Sequence, residues 1–320
     1  VSAVARILIT TDYLRAGDEV DDLLRSRGHE TRYPSGDLVA DLAGIEGALV
    51  GHDPLTAEVL ASAERLRAVV RTGVGYDAID VEAAARAGVT VSNLPGINAN
   101  AVAEYTMGLL LASSRRLVES AAGVASGGWP RADGRELRGS TLGLIGYGAA
   151  ARAVVPLARA FGMSVLCTTS VPEAERTDPD VRFVELPELL AEADHVSVHT
   201  ALTPRTRGML DADAFAQMRP GAVLVNTARG AIVDEEALAD AVRERRIAGA
   251  ALDVVAEEPL PAASPLRGVP GIVVHSHLAG QSAQARRAAG LEGARELLCA
   301  LAGSPEHAVN AHLIEERDNR

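Results

Sequence analysis

Short apolar runs recur along the chain, each followed by a stretch rich in Ala and charged residues. The alternation predicts strands separated by helices, hence βαβ units and parallel sheets. In the first third the runs fall at 6–10, 48–50, 68–71 and 89–92. Residues 80–87, closed by Gly88, read as a short helix with its stop signal. After Pro95 and Gly96, residues 102–111 predict a longer apolar helix crossing between domains. Gly123, Gly127, Gly128, Pro130, Gly134 and Gly139 then mark 121–139 as loop-rich. A second series of strands is predicted at 141–145, 164–168, 195–199, 222–226, 250–254 and 272–275. Helices fit between them at 149–161, 187–193, 212–218 and 234–246. The last begins with Asp234 as a cap, carries Glu235 and Glu236 at its positive end and Arg243, Arg245 and Arg246 at its negative end. Residues 283–301 predict an Ala/Arg/Leu helix too short to be a domain. Its expected place is against the N-terminal unit, which would make that unit discontinuous.

Composition narrows the classes. A length of 320 residues suits about two domains. With 48% hydrophobic and 23% charged residues, disorder and collagen-like repeats are excluded. Aromatics make up only 3%, so Ala, Val and Leu must build the cores. All 31 basic residues are Arg, against 43 acidic ones, and the net charge of −12 argues against nucleic acid and anionic membrane surfaces as partners. Two cysteines, Cys167 and Cys299, are too few for a disulfide framework, and a reduced, cytoplasmic protein is expected. No apolar run reaches the ~18 residues of a membrane span, and no targeting segment is expected.

The predicted strand 141–145 runs into Gly146-Tyr147-Gly148-Ala149-Ala150-Ala151 and then a helix, the G-x-G-x-x-A form of the dinucleotide fingerprint. The first Gly allows the tight turn and the second lets backbone approach a pyrophosphate. The helix N-terminus supplies amide donors. About 20 residues on, where a carboxylate normally grips the adenosine ribose, the chain reads Thr168-Thr169-Ser170, with Arg176 the nearest Arg. The cofactor reading is therefore NAD or NADP, with the preference open. Three later segments place an Arg, a carboxylate and a His just past predicted strand ends, where an open α/β sheet has its ligand crevice. They are Asn226 to Leu238 with Arg229, Ala251 to Pro259 with Asp253, Glu257 and Glu258, and His275 to Gly280 with His275 and His277.

With Arg71 to Asp80, Asn98 to Glu104 and His199 to Gly208, these segments resemble the D-isomer-specific 2-hydroxyacid dehydrogenases, in particular the D-3-phosphoglycerate dehydrogenase-like branch. The resemblance covers nearly the whole chain. It implies two doubly wound α/β parallel-sheet domains, a Rossmann cofactor domain at 98–278 inserted in a smaller, discontinuous, flavodoxin-like substrate domain at 1–97 plus 279–320. It implies that Arg229 holds the substrate's 2-oxo group and carboxylate, its donor fork staying charged. His277 would be the general acid/base and Glu258 its partner; the family's Glu-Pro and His-Leu-Ala-Gly placements select these over Glu257 and His275. Cofactor contacts are implied at Gly146, Tyr147, Gly148, Ala149, Ala150, Thr168, Thr169, Ser170, His199, Thr200, Thr206, Thr227, Ala228 and Asp253, the last on the nicotinamide amide. Substrate contacts are implied at Arg71, Gly73, Val74, Gly75 and Asn98.

The chain departs from phosphoglycerate dehydrogenases where they usually carry an Arg after the strand at 48–50; here Gly51-His52-Asp53-Pro54 stands. A C-terminal regulatory module is not expected. The implied activity is hydride transfer between a nicotinamide cofactor and C2 of a small D-2-hydroxy or 2-oxo acid, such as 3-phosphoglycerate, hydroxypyruvate or glyoxylate. The alternative is an NAD(H)-sensing, corepressor-like binding protein on the same fold. A homodimer is expected, with 102–111 and the following Gly-rich loop as the contact region.

Overall fold

The computed structural model describes residues 4–318. The strands β1 (Arg6–Ile9), β2 (Glu30–Arg32), β3 (Gly47–Val50), β4 (Ala68–Arg71) and β5 (Thr90–Ser92) alternate with the helices α1 (Glu19–Ser26), α2 (Leu38–Asp41), α3 (Ala57–Ser62) and α4 (Val81–Arg86). The helix starts follow from side-chain caps. Asp18 accepts from the Val20 and Asp21 amides, and Asp80 from that of Ala83. The strands pair in parallel in the order β2-β1-β3-β4-β5, the flavodoxin-like order. β3 is buried along its whole length, as a parallel sheet covered on both faces requires.

The chain continues through α5 (Ala99–Ser114), α6 (Leu117–Ala125), β6 (Thr141–Ile145), α7 (Ala149–Ala160), β7 (Ser164–Thr168), β8 (Val181–Phe183), α8 (Leu186–Glu192), β9 (His195–Val198), α9 (Ala212–Gln217), β10 (Val223–Asn226), α10 (Glu235–Arg243), β11 (Gly249–Leu252) and β12 (Ile272–Val274). These strands form a seven-stranded parallel sheet ordered β12-β11-β10-β9-β6-β7-β8. Starting from β8, this is the doubly wound dinucleotide-fold order with one further edge strand. One face is packed by residues such as Leu190, Phe215 and Leu238, the other by Leu110, Val154 and Ala158. Helix α5 lies on α7 and reaches β10 and β11.

The last helices are α11 (Ala283–Leu301) and α12 (Ala311–Asp318). Helix α11 returns to the first sheet, against β3, β4 and α1. Its inward face is small rather than strongly apolar (Ala285, Ala289, Gly290, Gly293 and Ala294), so its backbone comes close to the layer beneath. The chain thus divides into two compact units, one running to Asn98 and resuming at Ala283, the other spanning Ala99–Ser282. The turn after β12 is bonded into the second unit, the amides of Leu278 and Ala279 donating to Asp253.

Local differences are few. Strands β2 and β8 and helices α1, α2, α3 and α12 had no placed counterpart in the sequence reading, and the supposed loop at 121–139 begins inside α6. Among the described residues no helix is long and apolar enough to cross a membrane. Both cysteines are free thiols, and burial pushes Cys167 up to about 12, which makes it a poor nucleophile.

Candidate active site

In the second unit, the turn between β6 and α7 has the geometry of a dinucleotide cradle. Gly146 adopts φ 99°, and a Cβ there would lie 2.7 Å from the Thr200 amide nitrogen and 2.8 Å from the His199 carbonyl. Only Gly fits between these strand ends. At Gly148 a Cβ would meet nothing within 4 Å, so the space over the turn is open. Gly148 is also the N-cap of α7, with no side-chain cap and no acidic residue in the first turn. The first-turn amides, including those of Ala149 and Ala150, therefore suit an anionic ligand group. These features fit the pyrophosphate of a dinucleotide.

The other expected cofactor residues sort by what their side chains already do. Tyr147 is buried: its hydroxyl donates to Asp178 at 2.6 Å, and its ring meets Phe183 edge-on with Arg152 4.2 Å above. Its side chain is thereby engaged within the protein, and its backbone runs through the cradle turn. Thr168 ends β7 beside Gly146, whose amide donates to the Thr168 carbonyl at 2.8 Å; Thr169 and Ser170 follow in the loop. His199 pairs through Nε2 with the Ser197 hydroxyl at 2.9 Å, and burial pushes its pKa down to about 4, keeping it neutral. Next to it, Thr200 borders the Gly146 turn. The Thr206 hydroxyl closes its own loop, donating to the Ala201 carbonyl at 2.7 Å.

Past the C-terminal ends of β10, β11 and β12 the sequence motifs come together. Asn226, fully buried, donates from Nδ2 to the Arg229 carbonyl at 2.9 Å and accepts from the Ala228 amide at 3.0 Å, shaping the loop that presents Arg229. A Cβ on Gly230 would lie 1.9 Å from the Val255 carbonyl carbon, so this loop packs directly on the loop after β11. The Val255 amide donates to Glu258 Oε1 at 3.3 Å, and Glu235, in the first turn of α10, accepts from the Ala256 amide at 2.6 Å. The second carboxylate oxygen, Glu258 Oε2, lies 2.9 Å from His277 Nδ1. Glu258 rather than Glu257 is therefore bonded to the imidazole. His275 instead bonds through Nδ1 to the Tyr105 hydroxyl at 2.9 Å.

His277 has the left-handed backbone φ of 58°, rare for a residue with a side chain. Asp253 accounts for it. Its carbonyl accepts from the His277 amide at 2.8 Å, and its carboxylate oxygens accept from the amides of Leu278 and Ala279, each at 2.8 Å. Asp253 is only 1% exposed. Its carboxylate thus holds the turn that aims His277, with one amide on each oxygen and acceptor capacity left over. Helix α5 braces the same strand ends. Tyr105 holds His275, and Thr106 Oγ1 lies 3.2 Å from Thr227 Oγ1, two residues before Arg229. Sequence reasoning found none of these braces.

In the first unit, Arg71 ends β4 and folds back over the next loop. Its Nε donates to the Gly75 carbonyl at 3.0 Å, and a Cβ on Gly73 would lie 2.2 Å from its Nη1. The Val74 carbonyl accepts from Asn93 Nδ2 at 2.7 Å, another tie the sequence did not signal. His52 Nε2 lies 3.4 Å from Arg71 Nη2, placing an imidazole beside the guanidinium in the segment that lacks the expected Arg. Asp53 accepts from the Thr10 hydroxyl and the Gly51 amide. Asn98 is half-buried at the end of this unit's first segment.

Comparison with known proteins identifies the family. Residues 107–279 match the family model for the D-isomer specific 2-hydroxyacid dehydrogenase NAD binding domain. The chain is 42% identical over 250 residues to a D-3-phosphoglycerate dehydrogenase of Mycobacterium leprae, covering 77% of this chain and 47% of that protein. It thus spans about half the length of the Mycobacterium phosphoglycerate dehydrogenases it matches. A glyoxylate reductase of Thermofilum pendens is 36% identical over 274 residues, with 83% of this chain and 81% of that protein covered. Among solved structures, a protein of Thermus thermophilus superposes with a TM-score of 0.87 at 38% identity, covering 95% of this chain and 99% of that one. These matches, over the motifs that build the cradle and the Glu258–His277 pair, show that the chain belongs to the D-isomer specific 2-hydroxyacid dehydrogenase family.

Proposed function

We propose that the protein is an NAD(P)-dependent D-2-hydroxyacid dehydrogenase that reduces a small 2-oxo acid or oxidises the matching 2-hydroxy acid. The observation that carries the reading is the 2.9 Å Glu258–His277 pair, set past the strand ends of the unit that holds the dinucleotide cradle. A bound nicotinamide supplies or accepts the hydride at substrate C2. Glu258 holds Nδ1 and so orients the ring, and Nε2 passes a proton to the carbonyl oxygen in reduction and takes it back in oxidation. Arg229 takes the carbonyl and carboxylate of the substrate, where charge gathers in the transition state. The amides of Val74 and Gly75, with Arg71, His52 and Asn98, are the substrate-anchoring elements of the unit that we assign to substrate, the Gly73 amide donating to the Arg71 carbonyl at 2.7 Å to shape their loop; the unit 99–282 takes the cofactor. The relatives above carry the names of oxidoreductases, and nothing there favours the corepressor-like reading.

The test is NADH and NADPH oxidation against a panel of 2-oxo acids, with and without a 3-phosphate. Turnover of glyoxylate, hydroxypyruvate or the phosphorylated three-carbon acid is the expected result; no turnover across the panel would overturn the proposal. For the assembly, we propose a homodimer through α6 and its following loop. Leu117, Val118 and Val124 are exposed there, and Trp129 is 79% exposed, an apolar surface suited to a second copy of the chain.

A further inference from the structure

Resting on that reading, we infer that the protein prefers the 2′-phosphorylated dinucleotide, NADP(H), and that Arg176 with Thr169 and Ser170 forms the seat for the 2′-phosphate. The place is fixed by the sheet. Thr168 is the register partner of Ile145 and accepts from the Gly146 amide at 2.8 Å, so residues 168–171 lie one strand over from the cradle. In this fold the group after that strand meets the adenosine ribose, a carboxylate favouring the free hydroxyl and an Arg accommodating the phosphate. Here no carboxylate occupies 168–170.

Arg176 reaches back into the loop from beyond a short 3₁₀ turn (Glu173–Glu175). Its Nε donates to the Val171 carbonyl at 2.8 Å and its Nη2 to the Thr169 carbonyl at 3.3 Å. These bonds clamp the guanidinium against the loop and use two of its five N–H donors, so the remaining three can serve an anion. Thr169 Oγ1 accepts from the Val171 amide at 3.1 Å and keeps its own proton to donate, while Ser170 presents an exposed hydroxyl.

Local charge points the same way. Among the described residues Arg176 has no carboxylate partner: Asp178 accepts from the Tyr147 hydroxyl and Asp180 pairs with Arg159. Glu173 and Glu175 are exposed on the 3₁₀ turn. A second guanidinium, that of Arg152 just after the cradle motif, stands over the Tyr147 ring. A phosphate carrying close to two negative charges is the ligand that a pre-clamped Arg with flanking hydroxyls recognises best, through charge-assisted and bidentate bonds. A ribose hydroxyl offers the guanidinium no such partner.

The experiment is calorimetric titration of the full chain with NADPH and NADH, alongside adenosine 2′,5′-bisphosphate and 5′-AMP, none of which requires turnover. Wild type should bind NADPH at least tenfold tighter than NADH, with the bisphosphate outcompeting 5′-AMP in the same sense. Arg176→Gln should remove most of that ratio, and Thr169→Asp, which places a carboxylate at the ribose, should invert it; melting curves check that both variants are folded. If NADH binds as tightly as NADPH or tighter, the inference falls while the dehydrogenase reading stands. If neither dinucleotide binds, both fall together.

Discussion

Replacing Asp253 tests whether its carboxylate sets the position of His277. The carboxylate accepts two backbone amides at 2.8 Å from residues 25 and 26 positions away, and its own carbonyl holds the His277 amide. Asp253→Ala strands the amide of buried Ala279, at about 2 kcal/mol for an unsatisfied buried donor. The amide of the more exposed Leu278 can turn to water and loses about 1 kcal/mol. The local cost is therefore about 3 kcal/mol, equivalent to about a hundredfold faster opening of the turn. Asp253→Asn keeps one acceptor but points an NH₂ at the other amide, so roughly 2 kcal/mol is expected. Hydrogen exchange resolved on the peptide covering 275–281 reads this directly. The kinetic counterpart is a kcat lowered by about two decades, because a side chain misplaced by an ångström costs on that order. Unchanged exchange in that peptide together with a kcat within threefold of wild type would refute the assignment.

Three further outcomes follow from the geometry. Gly230→Ala would drive a methyl into the Val255 carbonyl, so it should cost about 1–3 kcal/mol in stability and about a hundredfold in kcat; a fully active variant would show that the Arg229 and Glu258 loops are not packed as described. His199 is held near 4, below the ~6.5 of an unfolded imidazole, so between these values the unfolded chain binds the extra proton and stability falls as pH falls. Urea denaturation should lose at most about 2 kcal/mol from this source between pH 7.5 and 5, and His199→Gln should show a correspondingly shallower loss; identical slopes would contradict it. Trp129→Ser should halve the mass seen by light scattering, whereas a wild-type chain that is already monomeric removes the dimer proposal.

The features legible in the sequence are those written in local pattern. The strand ends, the cradle and the His and Glu motifs all sit within short windows, and the start of α10 announces itself through Asp234. Strand β2 escaped because it presents Glu30-Thr31-Arg32, of which only Thr31 turns inward, and it does so as a polar group bonded to Asp21 rather than as an apolar one. Strand β8 is three residues long on the outer edge of its sheet, with Arg182 in its middle. Helix α6 buries none of its residues and runs through Gly123 into the Gly-rich stretch beyond, so the glycines made it read as loop. In the site, the Glu258–His277 pair could be anticipated because the family motif spaces it. The ties that aim it could not. Tyr105 meets His275 across 170 positions and Asn93 meets Val74 through a single carbonyl, and neither leaves a periodicity or a spacing to read.

The proposed function assigns proton transfer to His277, and single-turnover oxidation of bound NAD(P)H by a reactive 2-oxo acid measures its part most directly. His277→Asn keeps the size of the side chain without its titrating nitrogen and should lower the hydride-transfer rate by about 10²–10⁴, the contribution typical of a general acid/base, while calorimetry shows cofactor affinity preserved. A variant that binds cofactor normally and transfers hydride at close to the wild-type rate would contradict it.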